Sequence, residues 1–294
     1  MSKPTKIALI GDIHRQFDQQ DVNQFNQSDY DFLLCTGDLA NLWHWEGLAV
    51  ARQMAQLQKP TLMIPGNHDT LTLPQLVAEI KQWPLWVRHW FAWRQAPRLQ
   101  QWQRALGNVQ VGGYSVHPMP GSEDVAVVVG RPFAMGGSVL HCQPQLMREF
   151  GVGTMAESAA RLCQLVEQTP QQRLIFLAHN GPTGLGSNRT SIWGKDFGSP
   201  AEDFGDSDLR EAIDFARQQE KTVLAVVAGH MHHHVKQAGP RTWHLERDGI
   251  HYINAARVPR IFEEDGRTHH HHIRLTILDG DVTITQQLDA GERG

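Results

Sequence analysis

An α/β fold built on a parallel sheet is the class this sequence predicts, and three observations predict it. Short apolar runs alternate with helix-like segments along the first third of the chain. Each of those runs stops at a small polar motif that carries a glycine. A composition of 40% apolar and 20% charged residues over 294 positions supplies a core large enough for such a sheet.

The first run, Lys6-Ile7-Ala8-Leu9-Ile10, is β-like and ends at Gly11-Asp12-Ile13-His14. Residues 16–27 are polar and read as a short helix with a loop. Asp31-Phe32-Leu33-Leu34-Cys35 is the second strand, ended by Thr36-Gly37-Asp38, and 45–58 has helical apolar spacing. Residues 61–64 form the third strand, broken by Pro65-Gly66 and followed by Asn67-His68-Asp69. Strand, helix, strand, helix, strand implies right-handed crossovers. The three motifs therefore fall at the carboxyl ends of neighbouring parallel strands, where open α/β sheets keep their ligand sites.

The whole chain, 1–294, reads as a single domain carrying a tryptophan-rich helical insertion at 71–107. Trp83, Trp86, Trp90 and Trp93 follow at spacings of three and four, which places them on one helical stripe; Trp102 lies further along. Such a stripe is either an aromatic face packed on the core or a lid that touches substrate. Residues 108–117 and 125–129 are expected strands of a second sheet, and 154–168 a helix burying Met155, Ala159, Leu162 and Val166. Arg173-Leu174-Ile175-Phe176-Leu177 is a buried strand ended by Ala178-His179-Asn180-Gly181-Pro182. A helix over 208–219 and a strand over 222–228 follow, the strand ended by Gly229-His230-Met231-His232. Short strands are expected at 242–245, 251–254, 273–278 and 282–287, the last two joined by an Asp279-Gly280 hairpin turn. His269 to His272 is the one low-complexity run and reads as a surface loop or strand edge, with adventitious metal binding as the lesser alternative.

A net charge of −4 and a pI near 6.5 are unlike a dedicated nucleic-acid or membrane-surface binder. Three irregularly spaced cysteines (Cys35, Cys142, Cys163) make neither a disulfide framework nor a thiolate zinc site. Met1-Ser2-Lys3-Pro4 runs straight into a strand without an apolar signal segment, and no apolar run approaches ~18 residues. A soluble, cytoplasmic protein is expected.

Histidine is over-represented, with 17 in the chain, and its placement points to chemistry. Five strands end in glycine-flanked motifs that supply Asp12 and His14, then Asp38, then Asn67 and His68, then His179, then His230 and His232. The Asp-x-His and His-x-His spacings suit residues leaving a strand, because side chains at i and i+2 point the same way. Mixed oxygen and imidazole donors suit manganese, iron or zinc better than magnesium or calcium. Seven donors are too many for one ion, but they suit two ions that share a carboxylate. His68 could move a proton near neutral pH, with Asp69 as the charge that orients it.

The order Asp-x-His, Gly-Asp, Gly-Asn-His-Asp, His, Gly-His-x-His resembles the calcineurin-like metallophosphoesterases. All five motifs occur in order between about residues 7 and 234. The stretch from His179 to Gly186 is also similar to a subset of that family found in cyanobacteria and plants. The resemblance implies a four-layer α/β/β/α sandwich with a dinuclear site on loops at the sheet edges. It places Asp12, His14 and His232 on one metal, Asn67, His179 and His230 on the other, Asp38 bridging, and His68 outside the metals as proton donor. The implied reaction is hydrolysis of a small phosphate mono- or diester through a metal-bridging hydroxide. Arg15 stands where many members carry glycine and either clamps a substrate phosphate or faces solvent. Asn41, Asn188 and Arg189 are further substrate-side candidates. Leu39-Ala40-Asn41 follows Gly37-Asp38 where serine/threonine protein phosphatases carry a second Asp-Arg-Gly element, which argues against that branch. A nuclease using Arg88, Arg94, Arg98 and Arg104 among the tryptophans, and a non-catalytic scaffold, are the alternatives.

Overall fold

The computed structural model describes residues 3–236 and 238–290. Met1 and Ser2, part of the N-terminal stretch read above for a leader, lie outside the described residues, as do Gln237 and 291–294 at the end of the expected single domain.

The chain begins β1 (Thr5–Ile10), α1 (Gln19–Gln27), β2 (Phe32–Cys35), α2 (His44–Met54), β3 (Thr61–Met63) and a one-turn α3 (Asn67–Thr70). Three helices follow, α4 (Leu73–Ile80), α5 (Leu85–Ala92) and α6 (Gln95–Leu106). Next come β4 (Gln110–Val111), β5 (Ser115–Pro118), β6 (Val125–Val129), α7 (Gln143–Phe150), α8 (Met155–Gln168) and β7 (Arg173–Leu177). The last part is α9 (Ser207–Gln218), β8 (Thr222–Ala228), β9 (His234–Val235), β10 (Gly239–Pro240), β11 (His244–Arg247), β12 (Ile250–Asn254), β13 (Ile261–Glu264), β14 (Arg267–Leu278) and β15 (Asp281–Ala290).

Among these residues the strands form two large sheets. The first runs β13-β14-β1-β2-β3-β4, with β15 also paired to β14; the second runs β11-β12-β8-β7-β6-β5. β1 to β4 are parallel, as are β6, β7, β8 and β12. Alternation along the strands sorts their side chains into layers. Ile7 and Leu9 of β1, Leu34 of β2, Val127 of β6 and Val227 of β8 belong to the core between the sheets. Ala8, Ile10, Leu33, Val128 and Phe176 point the other way, into the cluster shared with helix residues such as Val22, Met54, Leu162 and Ile213. The result is the α/β/β/α sandwich.

The helices start where local chemistry starts them. Thr154 accepts from the amide of Glu157 while the Glu157 carboxylate takes the Thr154 amide, a reciprocal cap that opens α8. Asp18 and Asp21 do the same for α1. Among the described residues, no helix is long and apolar enough to cross a membrane. Cys35 and Cys142 are buried thiols and Cys163 is half-buried, and all three are free.

Three expectations fail. His269 to His272 is no surface loop or edge: it lies within β14, flanked by β13 and β15, and His270, His271 and His272 are at most 2% exposed. The tryptophan stripe does not pack on the core. Pro84 separates Trp83 from α5, and Trp83, Trp86, Trp90 and Trp93 are 41–74% exposed, while Trp102 on α6 is the buried one. Residues 108–117 do not form one strand of the second sheet. β4 extends the first sheet beside β3, and only β5 joins the second.

Candidate metal centre

β1, β2 and β3 are neighbours in one sheet and β7 and β8 in the other, so their carboxyl ends meet along one edge of the sandwich. The backbone leaves each strand abruptly there. Asp12 (φ 30°), His14 (φ 42°), Asp38 (φ 53°) and His230 (φ 66°) all adopt left-handed conformations that non-glycine residues rarely take. The Asp-x-His and His-x-His spacings therefore work through tight turns and not through the strand alternation expected of them. The flanking glycines are needed for closeness. A Cβ on Gly66 would lie 2.2 Å from the Asp38 Oδ1, and one on Gly229 would lie 2.1 Å from the Asp12 Oδ1.

Two groups of donors result. One donor atom each from Asp12, His14 and His232 lies within 4.8 Å of the others, and the same holds for Asp38, His179 and His230. The Asn67 Oδ1 is 2.9 Å from the His179 Nε2. Asp38 lies between the groups: its Oδ2 is 3.5 Å from the His179 Nε2 and 3.9 Å from the His14 Nε2. The His14 Nε2 also faces the His232 Nε2 at 3.2 Å.

The imidazoles are held from behind. The His179 Nδ1 meets the Thr36 carbonyl oxygen at 2.6 Å and the His14 Nδ1 meets that of Ala40 at 3.0 Å. Donating Nδ1–H to a carbonyl leaves Nε2 as the lone-pair nitrogen, the tautomer a metal ligand needs. Burial would lower the His179 pKa, yet the Asp38 and Asp12 carboxylates carry it up to about 10, so a metal ligated by its Nε2 would displace a proton. Burial would raise Asp12, but His232 and His179 take it down to about 2. His230, buried and beside His179, is pushed down to about 3. Buried carboxylates facing imidazoles whose Nε2 atoms are turned inward form a donor set that fits divalent cations.

His68 and Asp69 part company. The His68 Nδ1 is in hydrogen-bond contact with the Asn41 carbonyl oxygen, and the His68 amide donates to the Asp38 Oδ1 at 2.8 Å. Asp69 does not orient His68. Its Oδ2 accepts from the amides of Gly66 (2.7 Å) and Asp38 (2.9 Å), and its Oδ1 from that of Leu39 (2.7 Å). It ties the β2 and β3 loops together, and burial together with Asp38 raises its pKa to about 7.

The substrate-side candidates fall in two places: Arg15 and Asn41 both contact Glu46, whereas Asn188 and Arg189 lie in the loop after β7. Arg15 is exposed, with its Nη1 3.4 Å from the Glu46 Oε1. Asn41 contributes its carbonyl oxygen to His68. Asn188 makes a local turn with Ser191, and Arg189 donates to the Gly198 carbonyl at 3.0 Å. Those last contacts brace the 187–198 loop.

The sequence reading missed several residues that hold this centre. Glu46 accepts from the amides of Asn41, Leu42 and Trp43 at 3.2–3.3 Å and so fixes the carbonyl that anchors His68. The Asn254 amide group donates to the carbonyls of Met231 (2.7 Å) and Ile192 (3.0 Å), and the Arg241 Nε donates to that of His232 (2.9 Å). Arg131, buried, bridges Asp206 and Asp208 at 2.8 Å each, directly under the His179-Asn180-Gly181 turn, whose Gly181 carbonyl takes the Asp206 amide. Asn254 had a legible signal, a polar residue at the end of an apolar strand. A third acidic-histidine group, Asp18, Asp21 and His270, is an ion-pair network instead, because Arg260 grips both Asp21 oxygens at 2.8 Å.

A family model described as calcineurin-like phosphoesterase matches residues 5–234, which span every donor described above. The chain belongs to that family. Calcineurin-like phosphoesterases are in general metal-dependent phosphoester hydrolases. Among solved structures, TT1561 of Thermus thermophilus is 12% identical and superposes with a TM-score of 0.53 over 96% of this chain and 99% of its own. A second solved structure, 13% identical, gives 0.57 over 97% and 99%. At such identities both show the shared fold of this calcineurin-like phosphoesterase. Vacuolar protein sorting 29 from Cryptosporidium parvum is 11% identical over 98% of this chain and 99% of its own, with a TM-score of 0.30. No functionally curated protein matches the sequence.

Proposed function

We propose that this protein hydrolyses a small phosphate mono- or diester at a dinuclear metal centre. Asp12, His14 and His232 would hold one cation, Asn67, His179 and His230 the other, and Asp38 would bridge them. The observation that carries this reading is the position of the Asp38 Oδ2, within 4 Å of a histidine Nε2 from each donor group. Two divalent cations held there, manganese, iron or zinc by their donors, would polarise the phosphoryl oxygens and lower the pKa of a bound water.

The chain's own residues supply the rest. His68, with Nδ1 bound to the Asn41 carbonyl, has Nε2 free to give a proton to the departing oxygen. Its backbone amide, donating to Asp38, ties the residue to the donor groups, and the ring would serve as proton donor outside the metal ligands. Asp69 acts by holding the loops that carry Asp38 and His68. Arg15 stands at the rim, where its guanidinium is shared with Glu46.

The test is metal content together with hydrolysis of p-nitrophenyl phosphate and bis-p-nitrophenyl phosphate. Expected are two divalent ions per chain and turnover of at least one ester, with Asp38→Ala losing metal and activity together. A protein that holds both ions yet hydrolyses neither ester would be a scaffold on this fold.

A further inference from the structure

A cleft of ≈ 680 Å³ opens directly beside the metal centre, with Asn67, His68 and His230 on its inner wall. Its outer walls come from three separate elements. Leu76 and Ile80 project from α4, Met135 and Val139 from the loop before α7, and Phe197 and Phe204 from the loop before α9. The two phenylalanine rings meet edge to face at 5.0 Å, and Phe204 sits so close to Gly136 that a Cβ there would fall 2.4 Å from its ring. The apolar wall is thus built by packing across two loops and is not a chance exposure of single side chains. A volume of this size takes a ligand body well beyond a bare phosphate.

The charges of the cleft are one-sided. Among the described residues, none of those lining it is Lys or Arg. Its two formal charges are carboxylates: Glu202, paired with Lys195, and Asp203, held by the amides of Gly184 (2.7 Å) and Gly205 (2.9 Å). His141 on the same wall is pushed by burial to about 4 and is neutral at pH 7. A second phosphate, a carboxylate or a polynucleotide strand seated along these outer walls would be desolvated beside the Asp203 carboxylate, while the ammonium at that wall, Lys195, is already taken by Glu202 and lies over the Phe197 ring at 5.7 Å.

We propose that this cleft seats the leaving group, and that the substrate is a phosphate ester of an alcohol or phenol whose body is apolar and without negative charge. The inference rests on the hydrolase reading above. His68 sets its direction: the proton donor serves the departing oxygen, and His68 faces the cleft. A water oxygen bonds to phosphorus, the ester P–O bond breaks, and the departing oxygen takes the proton from His68, giving phosphate and a neutral alcohol in the cleft.

The experiment measures phosphate release from n-alkyl monophosphates, ethyl to octyl, by the full chain with manganese, alongside p-nitrophenyl phosphate. Alkanols along this series are equally basic, so a trend in kcat/KM reads contact and not leaving-group chemistry. The octyl ester should be favoured over the ethyl ester by about tenfold or more, since each buried methylene adds to binding. Val139→Asp and Ile80→Asp should bring that ratio close to one; read within each variant, the ratio cancels any change in overall rate. A flat series from a protein that turns over p-nitrophenyl phosphate overturns this inference and leaves the hydrolase reading intact. An octyl ester bearing a terminal carboxylate that is hydrolysed as well as octyl phosphate also overturns it. Hydrolysis of bis-p-nitrophenyl phosphate without hydrolysis of any monoester overturns this inference alone, and no hydrolysis of any of these esters overturns the hydrolase reading and this one with it.

Discussion

The carbonyl oxygen of Asn41 anchors the Nδ1 of His68, and that carbonyl is itself set by Glu46, which takes three successive amides at 41–43. The imidazole is thereby held by backbone from a different strand end, while the carboxylate next to it in sequence serves the loops. His68→Ala should lower kcat by about 10²–10⁴-fold on an alkyl ester with both metals retained. The loss should shrink on p-nitrophenyl phosphate, whose leaving oxygen hardly needs a proton. Equal losses on the two esters, or departure of the metals, would remove His68 from the proton-transfer role.

Arg131 is the sole cation on the buried carboxylates Asp206 and Asp208 among the contacts described. Burial raises Asp206 to about 7 even with the guanidinium present. Arg131→Met keeps much of the volume but leaves two acids without a counter-charge, and should destabilise the fold by about 3–5 kcal/mol at pH 7. The companion Arg131→Met/Asp206→Asn/Asp208→Asn should recover most of that loss in urea unfolding. A triple variant no more stable than the single would show that the pair interaction is not what the arginine contributes.

The strand-end motifs were legible because each packs its chemistry into a few residues that also break a strand. Parallel order did the rest, since it sends successive carboxyl ends to one edge. What stayed hidden depends on distant partners. The four histidines at 269–272 look polar, yet β13 and β15 flank them and His270, His271 and His272 are buried, and no local pattern announces a strand whose inward positions are filled by imidazoles. Arg131 reads as a loop residue because its carboxylates lie 75 and 77 positions away. The tryptophan spacing could not tell a core face from an exposed one, and Pro84 detaches Trp83 from the helix that carries Trp86 and Trp90.

Asn254 closes the second sheet's contribution to the metal centre. Its amide group holds the Met231 carbonyl, between His230 and His232, and its Oδ1 accepts the Ala256 amide at 2.9 Å. Asn254→Ala frees the turn that aims both histidines, and partners of this kind are typically worth 10–100-fold in metal affinity. Manganese titration followed by calorimetry should show that loss with the thermal midpoint of the metal-free protein moved far less. Unchanged affinity would leave Asn254 with a purely structural role.

The buried histidines of β14 should make the protein acid-labile in a window that can be named. Burial, reinforced by His233, Arg257 and Arg260, pushes His271 down to about 2, and burial with Arg260 pushes His272 down to about 3, where its Nε2 meets the Tyr30 hydroxyl at 2.6 Å. Above pH of about 6.5 both rings are neutral folded or unfolded, so they add no pH dependence. Below it the unfolded chain takes up protons that the folded chain refuses. Stability therefore falls as the pH drops, by up to about 1.4 kcal/mol per pH unit for each histidine. Urea unfolding of the metal-free protein at pH 7, 6 and 5 measures the slope. His272→Phe keeps the ring and removes the titration, so its slope between pH 6 and 5 should be shallower by close to that amount, whatever constant offset the lost Tyr30 contact brings. A slope identical to the unsubstituted protein would mean that His272 is protonated in the folded state, and its burial in β14 would then need a counter-ion, for which Asp289, 3.3 Å from the His272 Nδ1, stands nearest among the described carboxylates.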